Sequence, residues 1–129
     1  MDKVGQFLTQ IRNASLAKHD KVDIPASKLR AGLAHILQES GYIRSFKVAK
    51  DSKQGIMRVY LKYDDKGVSA ITALNSVSTP GRRVYVHSTK IPNVRSGTGM
   101  CVLSTSKGIL TGSEATQKNV GGELLCTVW

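Results

Sequence analysis

The sequence predicts an α+β protein, with an N-terminal α-β-α-β-β domain over residues 1–66 and a smaller, mainly β C-terminal domain over residues 67–129 that carries one short helix. Three observations carry this reading. Two stretches of the first half repeat apolar residues at helical spacing, while its remaining segments alternate at the strand period. The polar run Asp64-Asp65-Lys66-Gly67 then interrupts the pattern. Beyond it, short apolar runs are separated by Gly and Pro, the texture of a β-rich domain. At 129 residues the chain fits one domain or two very small ones. A chain of that size buries about two-thirds of the surface it exposes when unfolded.

Val4, Phe7, Leu8 and Ile11 form one stripe of an amphipathic helix running to Ala17. Val22 and Ile24 read as a short strand that Pro25 ends. Ser27 is placed as an N-cap for a second helix, with Leu29, Leu33, Ile36 and Leu37 on its apolar side and Gly41 as its stop. Tyr42 to Ala49 reads as a strand with Phe46 and Val48 on one face, and Asp51 to Gly55 as a turn. Met57, Val59, Leu61 and Tyr63 alternate with Arg58, Tyr60 and Lys62, which describes a half-buried strand. In the second half, strands are expected at Ile71–Ser78 and Arg82–His87, with a turn at Thr79-Pro80-Gly81 between them. Ile91 to Gly99 reads as loop or short helix, and Met100 to Ser104 as an apolar strand. Thr111 with Glu114 three residues on matches a capping box, so a brief helix is expected over 114–118. Gly121-Gly122 breaks the chain before a last strand, Glu123 to Trp129.

Charge bears on partners. There are 19 Lys and Arg against 9 Asp and Glu, a formal net charge of +10. Both halves are basic, residues 1–66 with 13 basic and 7 acidic side chains and residues 67–129 with 6 and 2. A polyanion is therefore the expected partner, either nucleic acid or an acidic membrane face. A peripheral membrane role needs a basic amphipathic helix that exposes Trp or Phe, and neither long helix has that pattern. No apolar run approaches the roughly 20 residues that cross a bilayer, and the N-terminus has no basic segment followed by an apolar one. The cytosol is the expected compartment. Cys101 and Cys126 lie in apolar runs, so both are expected to be reduced and buried, and neither has a metal-ligand spacing.

No phosphate loop, dinucleotide fingerprint, nucleophile elbow or zinc-protease motif is present. Gly97-Thr98-Gly99 is half a phosphate loop without a Lys or a following long helix. A rival reading, a small hydrolase, would pair His87 with Ser104 or Ser106, although no spacing requires it. The richest polar segment is Ser104-Thr105-Ser106-Lys107-Gly108, directly after an apolar strand. Hydroxyls there suit 2′-OH groups and base edges, Lys suits a phosphate, and Gly admits close backbone approach. An ordinary Ser/Thr turn fits the spacing equally well.

That segment, followed by Thr111 and then Val120-Gly121-Gly122-Glu123-Leu124-Leu125-Cys126 up to Trp129, resembles the C-terminal signature of the bacterial small-subunit ribosomal protein S-eight family. Further matches follow in the family's order at Thr9–Ala14, Ile24–Lys28 and Val77–Tyr85. The chain departs from the family pattern in the loop Asn93–Gly99, at Gly112 where Asp is common, and at Thr116 where a basic residue is usual. The resemblance implies an N-terminal domain packed on the C-terminal one and a structural role in the ribosome. It implies a primary ribosomal-RNA-binding protein that grips an irregular helix of the RNA's central domain, and no enzyme. Carried over by position, the gripping residues are Ser104, Thr105, Ser106, Lys107 and Gly108, with Tyr85 and Glu123 nearby. Tyr85 would stack on an unpaired base, and a half-buried strand aromatic fits it equally well. Glu123 would accept from a base amino group or orient the Ser loop, and a plain ion pair with Lys107 is equally open. Arg12, Asn13, Lys28 and Arg30 would touch a second RNA segment, or else form a solvated face. Neighbouring ribosomal proteins are implied as partners, and the chain's own operon mRNA is left open as a repressor target. No cofactor, metal, small-molecule substrate or membrane is implied, and a monomer is expected outside the ribosome.

Overall fold

The structure, a computed structural model, describes residues 3–50, 55–94 and 99–129. Its elements run α1 (Lys3–Leu16), β1 (Lys21–Pro25), α2 (Lys28–Glu39), β2 (Ile43–Ala49), β3 (Ile56–Leu61), β4 (Leu74–Ser76), β5 (Tyr85–Val86), β6 (Met100–Thr105), β7 (Gly108–Thr111), α3 (Gly112–Gln117) and β8 (Gly122–Val128). The expected α+β class with a mainly β C-terminal part is what the chain adopts. Two compact units divide between Thr72 and Ala73, the second also taking the start of α1 as far as Gly5. The expected turn at Asp64 forms: its carboxylate accepts from the backbone N–H groups of Lys66 and Val68 at 2.8 and 2.9 Å. Tyr63 then bridges to Ser69, and the Ala70 N–H donates to the Lys62 carbonyl, so residues up to Thr72 go with the first unit.

In the first unit, β3 is the centre of a three-stranded antiparallel sheet in the order β1-β3-β2. Period-2 alternation does its work here: Met57, Val59 and Leu61 are buried while Ile56 and Arg58 are exposed. Phe7, Leu8 and Ile11 of α1 and Leu33, Ile36 and Leu37 of α2 are buried, as the helical stripes require. The Ser27 hydroxyl caps α2 by accepting from the Arg30 N–H at 3.1 Å. At the other end Gly41, at φ +83°, closes the helix, the Tyr42 N–H reaching back to the Leu37 carbonyl at 2.8 Å. On the face that Phe46 and Val48 share, Phe46 is half-buried and Val48 stands 49% exposed near the end of edge strand β2. Of the expected turn over 51–55, only Gly55 lies within the described residues.

The second unit is built on β8. One side of it pairs β6, which in turn pairs β7. Its other side is shared, β4 lying opposite residues Cys126 to Val128 and β5 opposite Gly122 and Glu123. Both expected strands before residue 88 are therefore shorter than the sequence suggests. Val77 and Val84 each keep one backbone bond to β8, but the Ser78 hydroxyl takes the Val84 N–H at 2.7 Å and Thr79 pairs with Arg82, so turn contacts occupy the stretch between them. The core cluster is Cys101, Leu103, Leu110, Ala115 and Leu124. The capping box is present in full: the Thr111 hydroxyl accepts from the Glu114 N–H, and the Glu114 carboxylate accepts from the Thr111 N–H, both at 3.2 Å. Because Thr111 is the cap, α3 begins at Gly112, earlier than expected. Gly112 is itself a place of close approach, since a Cβ there would lie 2.5 Å from the Cys101 sulfur.

Candidate nucleic-acid interface

The site grows from sheet register. Tyr85 of β5, Glu123 of β8 and Ser104 of β6 are directly opposite one another, so their side chains share one face in a single row across three strands. β8 can enter between its neighbours because glycines stand at its first position, Gly122, and just before it, Gly121. A Cβ on Gly121 would lie 2.3 Å from the Val86 carbonyl oxygen, and one on Gly122 would lie 2.2 Å from that of Ser104. The row is thus set by backbone proximity that only glycine permits.

Beyond Ser104 the chain makes the β6–β7 hairpin, with Thr105 opposite Gly108. Gly108 sits at φ +106°, in the left-handed region, with nothing within 4 Å of where a Cβ would be. Its requirement is conformational and not steric. The Thr105 hydroxyl donates to the Gly108 carbonyl at 2.8 Å and accepts from the Lys107 N–H at 3.1 Å. Thr105 therefore braces the turn. Ser106 and Lys107 at the tip are exposed, and Ser104 is half-buried. The tip offers a hydroxyl and an ammonium to solvent from a rigid base.

Tyr85 is 69% exposed, an uncommon state for a strand aromatic and one suited to stacking. Glu123 does not pair with Lys107. Its carboxylate accepts from Arg83 Nη1 at 3.0 Å, its side chain 18% exposed against 53% for Arg83. Arg83 is the residue that sequence reasoning passed over. It lies within a matched family segment, but only the β5–β8 register shows that it meets Glu123. The ion pair leaves Glu123 without net repulsion toward a phosphate and holds Arg83 beside Tyr85.

The second set of expected contacts divides. Asn13 and Lys28 are exposed and Arg12 is half-buried. Arg30 is 4% exposed, its Nη1 donating to the Pro25 carbonyl at 2.8 Å and its Nη2 to Gln6 Oε1 at 3.3 Å. It satisfies its charge internally, as a buried guanidinium must. Arg30 ties the end of β1 to both helices and does not stand with the other three on the surface.

His87 bonds Thr89, its Nδ1 lying 3.1 Å from the Thr89 hydroxyl, and is not joined to Ser104 or Ser106. Both cysteines are free and buried, and burial pushes both thiols up, that of Cys126 to about 12. No described helix is long and apolar enough to cross a membrane, and the described residues hold no cluster of three metal-ligating side chains. The half phosphate loop at Gly97-Thr98-Gly99 lies mostly outside the described residues.

A basic α+β chain that presents hydroxyls, an ammonium and an exposed aromatic along one face of a sheet belongs to the class of small basic proteins suited to a polyanion. Comparison with known proteins makes this particular. The family described as "Ribosomal protein S8" matches residues 2–129. Small ribosomal subunit protein uS8 of Bdellovibrio bacteriovorus is 67% identical over 129 residues, the whole of both chains. The protein of the same name from Geotalea uraniireducens is 54% identical over 128 residues, 99% of this chain and 97% of that one, and that from Geobacter sulfurreducens is 52% identical over the same length and shares. The chain belongs to the ribosomal protein S8 family, whose members are structural proteins of the ribosome and not enzymes.

Proposed function

We propose that this chain binds small-subunit ribosomal RNA directly, gripping an irregular helix of the RNA's central domain through its C-terminal half, residues 67–129. It works in the ribosome, which in bacteria lies in the cytoplasm. The observation that carries the binding reading is the arrangement of the β6–β7 hairpin. Thr105 and Gly108 hold the turn among themselves, which leaves Ser106 and Lys107 exposed beside the row Ser104, Glu123 and Tyr85. In this reading the Ser hydroxyls bond base edges or 2′-OH groups, Lys107 and Arg83 take phosphates, and Tyr85 stacks on an unpaired base. Glu123 positions Arg83. Asn13, Lys28 and Arg12 add phosphate contacts of lower specificity.

The protein is a monomer outside the ribosome and meets neighbouring ribosomal proteins within it. Repression of its own operon follows if the mRNA presents a copy of the ribosomal helix. Crosslinking the full-length protein to total cellular RNA and sequencing the product tests the reading. One helix of the small-subunit ribosomal RNA should dominate, with protein crosslinks at residues 104–108 and Tyr85. Reads spread in proportion to RNA abundance would refute specific recognition, and a second peak in the operon's own mRNA would support repression.

A further inference from the structure

The outer face of the first unit's sheet carries a second arrangement suited to RNA. Tyr60 lies on the central strand with Lys21 of β1 and Ser45 of β2 as register partners. Two residues along, Arg58 lies between Asp23 and Lys47. The register shift between Ile43 and Ser45 brings in Arg44 as well, whose guanidinium carbon is 5.5 Å from the Tyr60 ring centroid, with the Lys47 ammonium at 5.9 Å. Lys21, Arg44, Lys47 and Arg58 are all exposed, and among the described residues of this face Asp23 is the one acid. Arg58 engages Asp23 with two hydrogen bonds, Nε to Oδ1 at 2.8 Å and Nη2 to Oδ2 at 3.1 Å. That acid is thereby neutralised, and the face keeps a surplus of three flexible cations around one aromatic ring.

We propose that this face is a second RNA-binding surface, on which an unpaired base stacks on Tyr60 while Arg44, Lys47 and Lys21 take the flanking phosphates. Exposed cation–π contacts are weaker than base–aromatic stacking, so a base can displace the cations now over the ring. Released, a guanidinium and an ammonium find stronger partners in phosphate oxygens. A sheet face reads splayed-out bases and not a duplex, whose bases are stacked away from any side-chain ring. Charge complementarity selects a polyanion, and the ring at the centre selects one with bases. The proposal shares with the function above only that RNA is the polyanion, and it uses none of the hairpin residues.

The test is titration of the full-length labelled protein with unstructured octauridylate, read at the Tyr60 ring and Arg44 side-chain resonances. Both should shift and saturate. Tyr60→Leu, which keeps an apolar strand residue, should weaken binding read at Arg44 about tenfold, while Tyr60→Phe should retain it. Unchanged affinity in Tyr60→Leu would overturn the proposal. So would a shift at Tyr60 with a polyglutamate peptide and none with octauridylate, which would mark a protein-docking face. Lys107→Ala should leave the Tyr60 shifts in place even where it disables the hairpin. If the shifts disappear with it, the face is no independent site.

Discussion

Gly122→Ala is the perturbation whose consequence is best fixed by geometry. The added Cβ would lie 2.2 Å from the Ser104 carbonyl oxygen, where real Cβ atoms essentially never come closer than 3.0 Å. Strands β6 and β8 must separate by at least the difference, 0.8 Å, and the obstacle is backbone that no side-chain rotation can clear. Overpacking of this kind costs about 1–3 kcal/mol, offset by about 0.4–1 kcal/mol from the lower entropy of the unfolded chain. A net loss of about 1–2 kcal/mol should lower Tm by about 4–10 °C in a chain of this size. Because Ser104 and Glu123 belong to these strands, cognate RNA affinity should fall as well. Gly81→Ala is the control, since nothing lies within 4 Å of its Cβ position. Thermal unfolding followed by circular dichroism, with filter binding to the RNA helix, measures both effects. A Gly122→Ala protein that melts within about 1 °C of the parent and binds as tightly would refute the close-approach argument.

Other outcomes follow from the same geometry. Thr111→Ala removes the capping hydroxyl of α3 and should cost about 1 kcal/mol in urea unfolding. Arg83→Ala breaks an ion pair whose carboxylate is mostly covered, so it should cost about 1–3 kcal/mol of stability, and RNA affinity should drop as well, which separate urea and binding titrations will measure. The native thiols should resist an aromatic disulfide reagent at pH 8. Cys126 keeps its proton in the folded protein up to about pH 12, whereas the unfolded thiol loses it near its ordinary 9.0. The folded state therefore binds more protons above pH 9, so this contribution is intact below that pH and is lost as pH rises toward 12. Cys126→Ala should flatten that part of the pH–stability curve.

Much of this was legible in the sequence wherever a pattern repeats over several residues. The stripes Phe7-Leu8-Ile11 and Leu33-Ile36-Leu37, the alternation at Met57-Val59-Leu61 and the capping box at Thr111 need only local spacing, and each stands where expected. β7 escaped because Ile109 and Leu110, between Gly108 and the cap, are too few to show alternation. They become a strand only by pairing with β6. Strand ends at β4 and β5 were overestimated for a similar reason, the Ser78 hydroxyl supplying a bond that β propensity does not register. Pairings distant in sequence were out of reach. Neither the Arg83–Glu123 ion pair nor the burial of Arg30 follows from residue type, since both depend on which strand or helix lies opposite. Exposed Lys and internal Arg look alike in one dimension.

The claim that the β6–β7 hairpin is the recognition element is tested most directly by comparing Ser106→Ala with Lys107→Ala on cognate and scrambled RNA across several salt concentrations. Ser106→Ala should weaken only cognate binding, by about 1–3 kcal/mol, and leave the salt dependence unchanged. Lys107→Ala should weaken both RNAs by similar factors and reduce the log–log salt slope by about one unit. A silent Ser106→Ala, with thermal stability also unchanged, would contradict the account and make the hairpin an ordinary turn.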